Sequence, residues 1–323
     1  MKRAIIVGSE GQDGQLLYDF LLKRRYAVVG VDKGKIRCSS GISFKKVDIL
    51  KLQEVVNLIK KFQPREIYYL AAFHHSSENL PCENLPLLRA SYAVHVTGLA
   101  NFLESIKKSC PKTRLFYAAS SHIFGEAKEK VQDEHAPINP ICIYGMTKAS
   151  GLALCRFYRS SFGVFAAVGI LYNHESVLRA GHFVSKKIIQ GVIKIKKGKQ
   201  KQLVLGDLHS VIDWGYAPDY VRAMHCILNR QKPDDFIVAT GKARTVLDFV
   251  KIAFKALGLD WKLYVKEDRR LVRKQSFYRV GNPTKLMKDT RWAPKVSFEE
   301  MIRKMIKTDL KEFSPQTKNK VIK

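Results

Sequence analysis

In Ala4-Ile5-Ile6-Val7-Gly8-Ser9-Glu10-Gly11-Gln12-Asp13-Gly14, a short continuous apolar run, Ala4-Ile5-Ile6-Val7, stops at Gly8 and a glycine-bearing turn follows. Leu16, Leu17, Phe20, Leu21 and Leu22 follow at helical spacing, so the opening reads as strand, turn, helix. Outward from it, residues 26–31 form a second buried-looking strand ending in Asp32, residues 55–62 carry a helical pattern, and residues 67–72 are another apolar run. A helical pattern at 99–107, a strand at 114–118, a helix after Tyr144 and a strand at 164–171 continue the alternation. This rhythm predicts an α/β fold, a Rossmann-type doubly wound parallel sheet. After Asn173 the rhythm loosens into a basic stretch, returns to the sheet at Phe236-Ile237-Val238-Ala239, and ends in a mixed segment holding Trp261 and Trp292. The expected organisation is a dinucleotide-binding domain over 1–172 with 206–242 returning to it. A smaller C-terminal substrate-binding domain takes 173–205 and 243–313, and 314–323 is a polar tail.

Composition narrows the class. The chain has 323 residues, 46% of them apolar, and 57 Lys plus Arg against 29 Asp plus Glu, for a formal charge of +28. That apolar fraction excludes a disordered or collagen-like chain. No apolar run approaches the ~18 residues that span a bilayer, and Met1-Lys2-Arg3 leads into a strand without a signal-peptide pattern. No membrane association and a cytoplasmic location are therefore expected. Cys38, Cys82, Cys110, Cys142, Cys155 and Cys226 are scattered, form no Cys-x-x-Cys pair and have no metal-ligand spacing, so reduced thiols and no metal are expected. The basic excess would attract polyanions. Its Lys and Arg residues are spread along the chain without a zinc-finger, RNP or helix-turn-helix signature, which argues against nucleic acid as the partner and suits an anionic small substrate.

The turn Gly8-x-x-Gly11-x-x-Gly14 lets backbone N–H groups approach a pyrophosphate at a helix N-terminus, so Gly8, Gly11, Gln12, Asp13 and Gly14 are candidate dinucleotide ligands. Asp32 ends the second strand, where its carboxylate would accept from the adenosine ribose diol and repel a 2′-phosphate. That favours NAD. Lys33, Lys35 and Arg37 could offset the repulsion, which leaves NADP open. Asp48 and Ile49 could meet the adenine; a helix N-cap before residues 50–56 is the equal reading of Asp48.

Tyr144-Gly145-Met146-Thr147-Lys148 places a phenol and an ammonium four residues apart on one helix face. The cation is expected to lower the phenol pKa, so that Tyr144 exchanges a proton with a sugar hydroxyl while hydride moves to or from nicotinamide. Lys148 is also a candidate for holding the nicotinamide ribose. Ser120, in the strand ending Ala118-Ala119-Ser120-Ser121, is expected to bond the same hydroxyl.

With these residues in place, the chain resembles the GDP-mannose 4,6-dehydratases of the extended short-chain dehydrogenase superfamily. The similar words are Gly11-Gln12-Asp13-Gly14, Leu70-Ala71-Ala72, Asn173-His174-Glu175-Ser176, Phe183-Val184, Asp213-Trp214-Gly215 and Ala239-Thr240-Gly241. The resemblance implies that His174 and Arg179 help hold the dinucleotide, and that Leu70, Ala71, Ala72 and His74 line it. It also implies that Asn173 and Lys187 face the nucleotide sugar, with Arg273 in the same role by position.

Three departures qualify the resemblance. The family's catalytic strand ends Ser-Thr-Ser-Glu, its Glu taking the C5 proton of the sugar; the ungapped match here is Ala119-Ser120-Ser121-His122. A neutral imidazole can accept that proton and return it at C6. Equally, His122 could only position a hydroxyl. Second, the family has an Arg before Asp213, where this chain has Ile212. Third, Arg273-Lys274-Gln275-Ser276 replaces an Arg-Pro-x-Glu stretch. Residues 33–40 also replace a longer Arg-rich loop that in the family binds the NADP phosphate and helps build a tetramer. A homodimer is therefore expected ahead of a tetramer. The expected function is a 4,6-dehydratase acting on GDP-mannose or a related GDP-sugar; the alternative is a C4 epimerase, reductase or dehydrogenase that performs no elimination.

Overall fold

The computed structural model describes residues 1–33, 35–41, 46–73, 84–127, 129–271 and 278–312. Its elements in chain order are β1 (Arg3–Val7), α1 (Gln12–Leu22), β2 (Ala27–Asp32), β3 (Lys35–Cys38), α2 (Leu52–Phe62), β4 (Glu66–Tyr69) and α3 (Asn84–Tyr92). A π-helical turn, Ala93–Thr97, leads into α4 (Gly98–Ser109), followed by β5 (Arg114–Ser120), a 3-10 turn at Ser121–Phe124, β6 (Val131–Gln132), α5 (Ile143–Phe162), β7 (Ala166–Leu171) and β8 (Asn173–Glu175). The remainder comprises α6 (Val184–Lys196), β9 (Leu203–Leu205), β10 (Val211–Tyr216), α7 (Ala217–Leu228), β11 (Asp235–Val238), β12 (Ala243–Thr245), α8 (Val246–Ala256), β13 (Val265–Glu267), β14 (Val280–Gly281), α9 (Thr284–Thr290) and α10 (Phe298–Glu312).

Seven strands form the main sheet in the order β11-β7-β5-β4-β1-β2-β3. Every pairing is parallel except β2 with β3. The strands read as unbroken apolar runs because both faces are covered. Val55, Ile59, Phe102, Ile106 and Leu152 cover one face, and Leu17, Leu21, Met224 and Ile227 the other. The β1–β4 crossing reverses the direction of winding, and the carboxyl ends of the strands open beside it, where ligands bind in such sheets.

A third core gathers Ile188, Ile189, Val192, Trp214, Phe249, Val250, Phe254 and Met305 from α6, β10, α8 and α10. Here the molecule differs from the expected segmentation. β10 pairs with β8 and β12 in a separate three-stranded sheet, so the return to the main sheet begins at α7. Leu286 and Trp292, expected in the smaller domain, pack into the core over the main sheet, because the Trp292 indole N–H donates to the Asp219 carbonyl at 2.9 Å.

Candidate active site

A cavity of about 960 Å³ opens along the carboxyl ends of the strands. At one end the chain is built so that backbone comes close. Gly8 has φ +90°, and a Cβ there would stand 2.7 Å from the Ala71 amide nitrogen. A Cβ on Gly14 would stand 2.2 Å from the Gly8 carbonyl oxygen, so α1 rests directly on the turn. Gly11 is the N-cap of α1 with no side-chain cap, which leaves the first-turn N–H groups facing the cavity. Asp32 is held by backbone donors: the Glu10 N–H on Oδ2 and the Lys33 N–H on Oδ1, each at 2.8 Å. Among the basic residues beyond it, Arg37 lies over the Tyr18 ring at 4.2 Å and Lys33 over Phe73 at 5.7 Å, while Lys35 pairs across the hairpin with Asp32. Asp48 makes a local turn, accepting from the Leu50 N–H at 3.0 Å, and the N-cap of α2 is Lys51. Asp48 is therefore not the N-cap of α2, and Asp48 and Ile49 line the cavity beside Leu70, Ala71 and Ala72.

The segment after β7 is hooked onto this turn. His174 Nδ1 stands 2.7 Å from the Tyr172 carbonyl and Nε2 2.8 Å from the Asp13 carboxylate, so both ring nitrogens face acceptors. Burial would push the Asp13 carboxyl up, but His174 and Arg179 outweigh it and hold it below its ordinary value. Burial likewise pulls His174 down, and Asp13 outweighs it, leaving the imidazole above its ordinary value. The two groups hold each other toward their charged forms, and the His174 ring stacks on Tyr220, ring centroids 4.6 Å apart. Gln12 fastens the same segment, donating to the His174 carbonyl at 3.1 Å and accepting from the Ser176 hydroxyl at 2.8 Å. Arg179 pairs with Glu175 at 3.1 Å and lies over the Phe183 ring at 3.5 Å.

At the other end, Ser120, His122, Tyr144, Lys148 and Asn173 line the cavity. Lys148 is buried and donates to the Ala118 carbonyl at 2.7 Å; burial, opposed by Asp13, pulls its ammonium down to about 7. The Tyr144 phenol is pushed up to about 12 by burial, against the downward pull of Arg179 and of a hydrogen bond with the Ser120 hydroxyl. This corrects the expectation from spacing: desolvation outweighs the cations, and Arg179 is the principal cation acting on the phenol. His122 Nε2 receives an N–H of Arg279 at 2.9 Å, and its Nδ1 lies 3.8 Å from the Cys142 Sγ. Its ring meets Tyr144 edge to face, centroids 5.6 Å apart.

Of the remaining expected ligands, His74 and Arg273 lie outside the described residues, as does Cys82. Lys187 stands half-buried on α6, outside the residues that line the cavity. Sequence reasoning missed two residues. Fully buried His95, in the π-helical turn, meets Tyr144 edge to face at 5.4 Å; its Nε2 accepts from the Phe73 N–H at 2.9 Å and its Nδ1 bonds the Thr147 hydroxyl at 2.7 Å. Arg279 is the other. A histidine interrupting an apolar helical pattern was the available signal for the first; the second had none.

The glycine turn, the backbone-held Asp32 and the room above α1 fit a dinucleotide, and with the Ser120–Tyr144–Lys148 cluster they define a Rossmann enzyme of the short-chain dehydrogenase class. The chain belongs to the GDP-mannose 4,6 dehydratase family, whose sequence model matches residues 5–305. It is 34% identical to GDP-mannose 4,6 dehydratase 2 of Arabidopsis thaliana, over 96% of this chain and 87% of that protein. Among solved structures, its fold is shared by dTDP-glucose 4,6-dehydratase of Bacillus anthracis in complex with NAD (TM-score 0.81, 19% identity, 96% and 97% of the two chains). It is also shared by UDP-glucose 4-epimerase of Thermotoga maritima with UDP-glucose (TM-score 0.82, 21% identity, 97% and 100%). No helix among the described residues is long and apolar enough to cross a membrane.

Proposed function

We propose that this chain is a nicotinamide-dependent nucleotide-sugar 4,6-dehydratase, with GDP-mannose or a related GDP-sugar as substrate. The observation that carries the reading is the convergence of Ser120, His122, Tyr144 and Lys148 on one cavity with the glycine turn, in a chain belonging to this family over 5–305. Gly8, Gly11, Gln12, Asp13, Gly14, His174 and Arg179 would hold the dinucleotide pyrophosphate and nicotinamide half. Asp32 would take the adenosine ribose, favouring NAD. When bound, the nicotinamide supplies the hydride acceptor for C4 of the sugar and the hydride donor for C6.

The protein residues handle the protons. Tyr144 exchanges the C4 hydroxyl proton, with Ser120 bonding the same oxygen and Lys148 orienting the ribose side of the cavity. His122, beside Tyr144, takes the C5 proton once the C4 ketone has acidified it and delivers it to the C6 hydroxyl, which leaves as water; as hydride reaches C6, a proton from solvent returns to C5. Asn173 faces the sugar. The homodimer expected from the sequence stands as part of the same reading, to be read by sedimentation.

A specific observation favours a second reading: both His122 nitrogens face protein groups, Arg279 and Cys142. If they stay so engaged, C4 is oxidised without elimination, and the enzyme is an epimerase, reductase or dehydrogenase. Mass spectrometry of the nucleotide sugar after incubation with GDP-mannose and catalytic NAD or NADP separates the two. Loss of one water supports the dehydratase; an isomer of unchanged mass, or accumulating reduced cofactor, supports the second reading. Tyr144→Phe removes hydride transfer under both, by roughly 10²–10⁴-fold, and full activity in that variant would sink both.

A further inference from the structure

We propose that Arg279 is a positioning residue that fixes His122 as the neutral tautomer with hydrogen on Nδ1 and the lone pair on Nε2. A guanidinium has five N–H donors and no acceptor, so the 2.9 Å contact from Arg279 requires an unprotonated Nε2. The neutral ring then carries its hydrogen on Nδ1, which faces the Cys142 sulfur at 3.8 Å. Doubly protonating the ring would set an N–H against an N–H and a cation against a cation. Among the described residues, the titratable groups facing His122 are Arg279, whose isolated bridge to Ile212 immediately precedes β14, Cys142 at the N-cap of α5 and Tyr144 within it.

The backbone around Arg279 is held in place from several directions. Arg279 forms a parallel bridge with Ile212, and its carbonyl accepts the Asp213 N–H at 3.1 Å. Buried Asp213 collects the Thr240 N–H at 2.9 Å, the Thr240 hydroxyl at 2.6 Å and the Gly241 N–H at 2.9 Å, and lies 3.4 Å from the Gly281 amide nitrogen. A Cβ on Gly281 would stand within 2.7 Å of Ala239, Ile237 and Tyr172 side-chain atoms, so this strand sits hard against its neighbours. On the other side, the first turn of α5 packs on the histidine itself: a Cβ on Gly145 would stand 2.5 Å from the His122 carbonyl oxygen. Guanidinium and imidazole therefore meet between two fixed backbones.

The consequence for chemistry rests on the dehydratase reading. Nε2 is kept in the form a base needs, and its lone pair becomes available to the C5 proton only when the guanidinium leaves it. Elimination then requires the Arg279–His122 pair to part, whereas C4 oxidation does not.

The test is ¹⁵N NMR of the imidazoles in the full chain without sugar, with the His122 signal identified by its loss in His122→Gln. The expected result in the parent is a protonated Nδ1 and an unprotonated, hydrogen-bonded Nε2. In Arg279→Met the tautomers mix and the His122 titration midpoint rises by roughly one unit or more as the neighbouring cation is removed. Arg279→Lys, which keeps a donor and a charge, retains the parental tautomer and covers the case in which the methionine variant fails to fold. Hydrogen on Nε2 in the parent, or a parental spectrum in Arg279→Met, overturns the proposal whatever the substrate. Water loss measured across pH then reads the catalytic consequence: Arg279→Met gains an acid limb in elimination that the parent lacks, with C4 oxidation following the parental profile. If no sugar loses water while the spectra behave as expected, the dehydratase reading fails and the positioning role stands.

Discussion

The two ends of the cavity are built from different materials. Over α1 the walls are backbone: Gly8 and Gly14 bring the turn, the helix and residues 70–71 into contact, and Asp32 is held by two main-chain N–H groups. Around His122 the walls are side chains, an imidazole, a thiol and a guanidinium, the last from a residue 157 positions away. A backbone-built end presents the same N–H donors whatever its exposed side chains, but it tolerates no added Cβ at the contact points. A side-chain-built end can change its chemistry by exchanging one residue, provided another supplies the missing partner. His122 and Arg279 have the character of such an exchange.

Gly14→Ala is the sharpest attempt to break this contrast. Its Cβ would meet the Gly8 carbonyl oxygen at 2.2 Å and Ser9 Cα at 2.6 Å, both backbone, so no side chain can swing aside. The expected cost is about 3 kcal/mol or more of stability, together with loss of the melting-temperature rise that NAD gives the parent. His122→Ala, at the other end, should keep the parental response to NAD and alter only the sugar product. If Gly14→Ala responds to NAD like the parent, the backbone account of that end is wrong.

Lys148 lies where the two ends meet, and its burial gives a pH signature. The folded-state value is held at about 7 against 10.5 for an unburied lysine. Between those values the unfolded chain binds the extra proton, so this group makes stability rise as pH rises from about 7 to about 10.5, and contributes its full penalty below that window. Lys148→Met should therefore raise the melting temperature of the cofactor-free protein most at pH 6 and progressively less toward pH 10, while hydride transfer is lost. A difference between parent and variant that does not change with pH would mean that the ammonium is not desolvated as the cavity geometry implies.

The contrast between the ends also accounts for what the sequence made readable. A strand, a glycine turn, a helix and a second strand follow one another within the first 32 residues and are encoded by spacing alone, so Gly8, Gly11, Gly14 and Asp32 could be found without any relative. His174 faces Asp13 across 161 residues, and only the resemblance to a family brought it into view. Arg279 reaches His122 because residues 212 and 279 share a bridge, a pairing that no local pattern records. The Tyr144 and Lys148 positions were legible from their helical spacing. The direction of the phenol shift was not, because it depends on how completely β5 and α5 exclude water. Trp292 was misplaced for the same kind of reason: its indole bond to Asp219 determines which core it joins.

Asp32→Ala should give the smallest effect and sharpens the backbone-built end most finely. Each carboxylate oxygen already accepts one main-chain N–H, which fixes its orientation at the end of β2 and leaves a second lone pair on each for a ribose hydroxyl. Of the three cations after Asp32, Arg37 is drawn over Tyr18, Lys33 lies over Phe73 while lining the cavity with Asp32, and Lys35 stands opposite Asp32 in the hairpin register, so Lys33 and Lys35 are the offsets to its charge. The parent should therefore bind NAD more tightly than NADP. Removing the carboxylate deletes a ribose acceptor and a like-charge repulsion together, so titration calorimetry should show NAD weakening and NADP tightening, a combined change in their ratio of about tenfold, or ~1.4 kcal/mol. A parent that prefers NADP would mean that Lys35 and its neighbours outweigh Asp32. The double variant Asp32→Ala/Lys35→Ala would then return the ratio toward unity, assigning cofactor choice to side chains even at the end where backbone builds the rest.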